Sequence, residues 1–273
     1  MADTGDVAVT ELLVVAAAVA VGFGSGVLSG MLGIGGAAVS TPAVRVLGAT
    51  PIEAVGTTVP AILPGAITGV WRYHREGLVD WRVGLWTGGV GAVAAVAGAL
   101  VAEAVGEPGW LMVATAALML ASGWSVARSG QGARRRGTEA DATDGGDTRP
   151  VWWHLAGLGA IAGFVAGLLG VGGGIVLLPA FTSVLGLAAR RAVAASLVAV
   201  AIFSVPALVV HAINGNIDWA LALALTAGVI PGARLGSRLT VQASDRTVRL
   251  AFGAVIVVLA VIYGVTEFVV LRS

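Results

Sequence analysis

The chain has 273 residues and a formal net charge of +1; it is 57% hydrophobic and only 11% charged, where soluble domains carry about a quarter charged residues. So few charges cannot cover a water-facing surface, which excludes a water-soluble globule. Cysteine and lysine are both absent, which excludes disulfides, thiolate metal sites, Cys and Lys nucleophiles, Schiff bases and the lysine of a phosphate-binding P-loop.

Several apolar runs approach or exceed the roughly 20 residues that cross a bilayer as helix. The expected fold class is an all-α integral membrane protein with roughly eight to ten hydrophobic segments, because a β-barrel would show short alternating segments. The 41 glycines suit close helix packing in lipid.

The start, MADTGDVAVTELL, is acidic and lacks the basic region of a signal peptide, so the first apolar run, residues 7–28, is read as a retained crossing helix. A glycine-rich break follows over residues 30–36. Residues 37–47 are apolar but short, about half a crossing at roughly 1.5 Å per residue. After a turn at 48–51, residues 52–70 are apolar, with interruptions expected at Pro60 and Pro64. A polar connection over 71–82 carries Arg72, His74, Arg75 and Arg82. Residues 83–101 and 109–127 cross again, separated by a short loop with Glu103 and Glu107. Residues 128–150 are rich in Gly, Thr, Asp and Arg, with Arg134, Arg135 and Arg136 in a row, and read as a hydrophilic linker.

The second half replays the first. Residues 151–169 are apolar, a break follows, 175–185 form the short segment and 188–191 the turn. Residues 192–213 are apolar, and so are 220–235 and 250–270. GMLGIGGAAVSTP at 30–42 matches GLLGVGGGIVLLP at 167–179, with Gly30, Gly33, Gly35, Gly36 and Pro42 against Gly167, Gly170, Gly172, Gly173 and Pro179. Downstream, Gly77, Asp80 and Trp81 match Gly215, Asp218 and Trp219, and Tyr73 pairs with His211. The organisation is thus a first transmembrane repeat at 1–127, a cytoplasmic linker at 128–150 and a second repeat at 151–273. Matching loops carry opposite charge. By the positive-inside rule 71–82, 128–150 and 238–249 face the cytoplasm, while 103–109 and 214–218 face outward. The repeats are therefore expected to be inverted, with both chain ends outside.

The paired breaks are the candidate site. A helix that starts after glycines leaves about four backbone N–H groups unpaired and carries roughly half a positive charge at that end. In lipid those donors suit a small anion. The expected binding residues are Gly33, Gly35, Gly36, Gly170, Gly172, Gly173 and Gly174. The hydroxyls of Thr57, Thr58 and Ser196 are added as donors to an oxyanion, although each can instead bond helix backbone. His211 could titrate or simply sit at a helix end; His74 reads as a loop residue and His154 as part of an aromatic belt with Trp152 and Trp153. The histidines lack metal-ligand spacing, so no metal site is expected. No nucleophile motif appears, so no catalytic residue is expected and the protein is read as no enzyme.

The two glycine–proline breaks, the AVGTTV and AVAASL segments at 54–59 and 192–197, and the Gly…Asp-Trp connections resemble the TauE/SafE family of sulfite exporters. The resemblance covers both halves. It implies a multi-pass cell-membrane transporter of small sulfur-containing anions such as sulfite or organosulfonates. The halves differ in detail, since Ala195 stands where the first half has Thr57. The expected mechanism is secondary transport by alternating access around the paired breaks. An anion channel, or a carrier of other small organic acids, is the alternative. The expected partners are the anion, the bilayer and a coupling proton or cation. No cofactor and no nucleic acid are expected.

Overall fold

The computed structural model describes residues 4–105, 115–123, 125, 152–169 and 172–270. Among the described residues there are ten helices and no strand. They are α1 (Thr4–Leu32), α2 (Ala37–Val46), α3 (Pro51–Arg75), α4 (Trp81–Val105) and α5 (115–123), followed by α6 (Trp152–Leu169), α7 (Gly174–Ser183), α8 (Ala189–Ile213), α9 (Trp219–Gln242) and α10 (Asp245–Val270). Six are long and apolar enough to cross a membrane: α1, α3, α4, α6, α8 and α9. The all-α membrane class expected from composition is therefore the observed one. The 128–150 linker lies outside the described residues.

Several boundaries move outward from the sequence reading. α1 runs through Gly30 to Leu32, so the first break is only 33–36. α3 passes through both Pro60 and Pro64 and continues to Arg75, which shortens the expected 71–82 connection to 76–80. α8 begins at Ala189 and α9 reaches Gln242, so Arg190, Arg191 and Arg238 lie on helices rather than in a turn or loop. For the ends beside charged residues the reason is shared. Hydropathy falls where charged side chains begin, but the backbone keeps its helical hydrogen bonds until a specific stop appears, since each unmade bond near lipid is costly.

The stops are local chemistry. Gly77 (φ 66°) follows α3, and Leu78 N donates to Tyr73 O at 3.1 Å. Gly215 (φ 71°) follows α8, and Asn216 N donates to His211 O at 3.0 Å. A left-handed glycine just past the last turn is a common helix terminator. Asp80 then accepts from Val83 N at 3.1 Å, and Asp218 accepts from Leu221 N at 3.0 Å, starting α4 and α9. The Gly…Asp-Trp connection is thus one stop and one start in close succession.

Helix packing comes in two matched sets. α1 lies along α9: Gly22, Gly26 and Gly30 meet the backbone of Leu225, Val229 and Ala233, while Gly228, Gly232 and Gly236 meet that of Val19, Phe23 and Val27. α4 lies along α6, where Gly159, Gly163 and Gly167 meet Thr87, Gly91 and Ala95. In both pairs the contacts advance together, so the helices run parallel. Small residues four apart let the two backbones touch, which replaces the hydrophobic drive that lipid cannot supply. α3 and α8 cross the centre in opposite directions: Gly56, early in α3, meets Asn216, just past α8, and Gly69, late in α3, meets Leu197, early in α8. The main core gathers around α8 and α7, with Phe181, Leu197 and Phe203 buried beside Leu32 and Ile34.

α3 and α8 are capped differently. Thr50 and Glu53 form a reciprocal box at α3, with Thr50 N donating to Glu53 Oε2 at 3.0 Å. At α8 the first turn is held from outside, by Asp245 Oδ1 accepting from Arg190 N at 2.9 Å.

Gly163→Val places a side chain against the Gly91 carbonyl and is expected to cost ~1–3 kcal/mol or more by overpacking. Gly157→Val, on an open face of the same helix, should be tolerated. Thermal unfolding of both variants in detergent checks the pair.

Candidate functional site

The two breaks are built from glycines because the backbone there is left-handed. Gly33, Gly35 and Gly36 have φ of 73°, 83° and 78°; Gly172 and Gly173 have 84° and 66°. Any other residue would cost about 1–2 kcal/mol at each such position. Gly170 lies outside the described residues. Gly33 N still donates to Ser29 O at 2.8 Å, the last helical bond of α1. α2 starts after Gly36 and α7 after Gly173, and neither has a side-chain cap. The Gly36 carbonyl accepts from Val39 N and Ser40 N, and the Gly173 carbonyl from Val176 N and Leu177 N. Gly174 N donates to Gly172 O at 2.8 Å, so the first-turn N–H groups left without a backbone acceptor are those of Ala37 and Ala38 in α2 and of Ile175 in α7, at the positive ends of the two helix dipoles.

The breaks touch. A Cβ built on Gly35 would lie 3.5 Å from Gly172 Cα, and one built on Gly172 would lie 3.2 Å from Ile34 O. Gly174 packs directly on the Gly33 carbonyl and Ile34. Gly35 and Gly172 are the matched residues of the two motifs, and here they meet face to face.

The expected hydroxyls are brought to this neighbourhood, but their bonds go to protein. Ser196 Oγ donates to Gly33 O (3.1 Å) and Val193 O (2.9 Å), tying α8 to the first break. Thr57 Oγ1 accepts from Asp218 N at 3.0 Å, tying α3 to the start of α9. Thr58 Oγ1 donates to Val55 O (2.9 Å) and lies 3.2 Å from Thr41 Oγ1. All three hydroxyls are engaged within the protein.

One hydroxyl escaped the sequence reading. Ser29 is 1% exposed, and its Oγ has no hydrogen-bond partner among the described residues. Its Cβ lies 3.4 Å from where a Cβ on Gly36 would stand, beside the start of α2. A buried, unsatisfied hydroxyl next to uncapped N–H groups is poised to donate to a ligand. Its sequence signal is a serine one turn ahead of the first break glycine.

On the other side of the contact lies a small cleft between α3, α4, α6 and α8. Its walls include Val59, Ile62, Phe203 and Gly172, and its polar lining comes from Ser204 and His211. His211, expected at a helix end, therefore lines this cleft. Tyr73, its partner in the repeat, is fully buried and donates to Gly30 O at 2.7 Å. His74 stacks edge-on with Trp81 at the connection, and His154 is exposed beside Trp153. Among the described residues no group of three His, Asp or Glu is placed to hold a metal.

Long apolar helices packed through glycine and joined around broken backbone define a multi-pass α-helical membrane protein. The model of the sulfite exporter TauE/SafE family matches residues 18–263, and the chain belongs to that family. Over 237 residues it is 26% identical to a probable membrane transporter protein of Xylella fastidiosa strain 9a5c, covering 85% of this chain and 88% of the relative. It is 23% identical over 260 residues to the probable membrane transporter protein YunE of Bacillus subtilis strain 168, covering 88% and 94%. No solved structure matches the chain. The protein is a membrane transporter by family.

Gly35→Ala should destabilise the protein by ~1–2 kcal/mol through its left-handed backbone, and Ser196→Ala by ~1 kcal/mol through the lost bond to Gly33 O. Melting in detergent reads both; no change in either would mean that the breaks tolerate relaxation.

Proposed function

We propose that the protein is a secondary transporter of small sulfur-containing oxyanions, sulfite or organosulfonates, working by alternating access around the two touching breaks. The observation that carries this reading is the meeting of two uncapped helix starts at Gly35 and Gly172, with the unpartnered Ser29 hydroxyl beside one of them. An oxyanion has several acceptor lone pairs for such donors, and fixed N–H groups bind it without a buried positive side chain. The family description, sulfite exporter, supplies the sulfur oxyanion. Gly33, Gly35, Gly36, Gly170, Gly172, Gly173 and Gly174 form the binding backbone, Ser29 donates directly, and Thr57, Thr58 and Ser196 hold the frame.

Alternating access rests on the two halves being inverted repeats. The opposed directions of α3 and α8, which the motif register pairs, support this, and so does the exchange of α1·α9 with α6·α4 under the same register. The arginine-bearing ends at 71–82 and 238–249 are assigned to the cytoplasm and 214–218 to the outside. The absence of native cysteine makes this directly testable. Glu76→Cys and Ser244→Cys should label from one face of the membrane and Asn214→Cys from the other. Labelling of all three from one face would remove the inverted topology.

The flux experiment uses purified protein in liposomes, with sulfite as substrate, sulfoacetate, sulfate and acetate as competitors, and an imposed pH gradient. Saturable sulfite flux with counterflow is expected of a carrier; non-saturating flux would make the protein a channel. A response to the gradient would identify the proton as the coupling ion. Ser29→Ala should lower flux about tenfold, the loss of roughly 1.4 kcal/mol that one charge-assisted hydrogen bond provides, while leaving the melting temperature essentially unchanged. Equal flux in Ser29→Ala and the parent would remove Ser29 from the site.

A further inference from the structure

We propose that the corner where α8, α9 and α10 meet binds the phosphate headgroup of an anionic phospholipid, held by Arg238 and Arg246 with Arg191 and Arg234 beside them.

One residue makes the corner. Arg190, in the first turn of α8, donates from its backbone N to Asp245 Oδ1 at 2.9 Å and from its guanidinium to Val241 O at 3.4 Å. The end of α9 and the start of α10 are thereby fixed on the start of α8. Arg190 Nε also stands 3.6 Å from Asp245 Oδ1, so the carboxylate of this corner is committed to Arg190. The other arginines have no such partner. Arg191, Arg234, Arg238 and Arg246 are exposed and Arg249 is half-buried. Among the described residues none of these five makes an ion pair or a side-chain hydrogen bond. Arg191 and Arg246 also stand in the first turns of α8 and α10, where the helix dipole disfavours a cation. The corner thus carries a positive excess that nothing within the protein offsets.

These arginines adjoin surface of the kind that faces lipid. On α9, Arg234 and Arg238 are one turn apart, and each is followed by an exposed leucine, Leu235 and Leu239. The other side of the same turns, at Gly232 and Gly236, is pressed on α1. On α10, Arg246 heads an exposed stripe that continues through Leu250, Val257 and Val261. The 24 residues of α9 span about 36 Å at 1.5 Å per residue, against about 30 Å of bilayer hydrocarbon. Its last turn therefore reaches the headgroups beside Arg238, and the long side chain of Arg234 snorkels to the same level. The architecture itself does not demand arginine here. In the register of the two zipped pairs Leu100 on α4 stands where α9 has Arg238, and Leu100 is exposed too. The positive-inside rule asks for arginines on one side of the membrane; it does not gather them at one corner, on the lipid-facing sides of two helices. A phosphodiester offers one negative charge and acceptor oxygens that guanidinium groups bind with paired N–H donors. A soluble phosphate would match the charge alone, whereas the acyl chains of a phospholipid also cover the apolar flanks.

The test is native mass spectrometry of the purified chain in detergent, titrated with equal amounts of phosphatidylglycerol and phosphatidylcholine; it is independent of the transported anion. The parent should retain phosphatidylglycerol in preference. Arg238→Gln and Arg246→Gln should each weaken that binding roughly fivefold, the loss carried by one basic side chain at an anionic lipid surface. Arg238→Lys, which keeps the charge, should restore most of it. Without lipid, both Gln variants should melt with the parent, since neither side chain bonds anything in the fold. Arg75→Gln is the comparison: Arg75 is also exposed but lies over the Trp71 ring at the end of α3, and its loss should leave the binding unchanged. Equal retention of the two lipids by the parent overturns the site. So does an equal loss in all three Gln variants, which would mean diffuse attraction by net charge. Melting of the parent with inorganic phosphate in place of lipid separates the two sources of the anion. A rise as large as that given by phosphatidylglycerol would make the corner a site for a soluble anion and overturn the lipid.

Discussion

In a bilayer the backbone must satisfy its own hydrogen bonds, and this protein suspends that rule at one place. Helices α1 and α6 stop in mid-chain, left-handed glycines turn the backbone, and α2 and α7 restart without a cap. Unpaired N–H groups this deep are costly unless something answers them. The two breaks are pressed against one another, so the cost is concentrated at the point where Gly35 meets Gly172. The surrounding structure can be understood as what holds that point in place. Ser196 bonds the Gly33 carbonyl, Thr240 bonds Met31 O and Tyr73 bonds Gly30 O, each from a different helix.

The glycine stripes of α1, α9, α4 and α6 serve the same end from further out. They bring whole helices into backbone contact, so that α1 carries the first break rigidly with α9, and α6 carries the second with α4. Parallel pairs zipped by small residues pack as units. α3 and α8 cross between them; Tyr73 on α3 bonds the Gly30 carbonyl, and Ser204 and His211 on α8 line the cleft.

The two halves are alike in backbone and unlike in side chain. Ser29 faces the first break where the second half has Ala166; Ser204 lines the cleft where the first half has Ala66. The same unlikeness appears in the caps. α3 uses its own Thr50 and Glu53, whereas α8 borrows Asp245 from α10.

Much of this was legible in the residues. Composition settled the membrane class, because so few charges leave no alternative. The glycine–proline motifs marked both breaks, since only glycine accepts the left-handed backbone they require. The Gly…Asp-Trp pattern marked two helix ends that local hydrogen bonds then made, and Thr50-Pro51-x-Glu53 carries a capping signature in four residues. Helix ends set by charge were misplaced at Arg75, Ala189 and Gln242, because hydropathy reports the lipid boundary while the helix ends at a stop signal. What only the tertiary structure decided is pairing across the chain. That Gly35 rests on Gly172, that Ser196 is committed to the Gly33 carbonyl, that Asp245 caps α8, and that Tyr73 bonds the Gly30 carbonyl are contacts between residues far apart in sequence. Local periodicity and motif spacing carry no information on which distant partner a side chain meets; the packing of whole helices determines it.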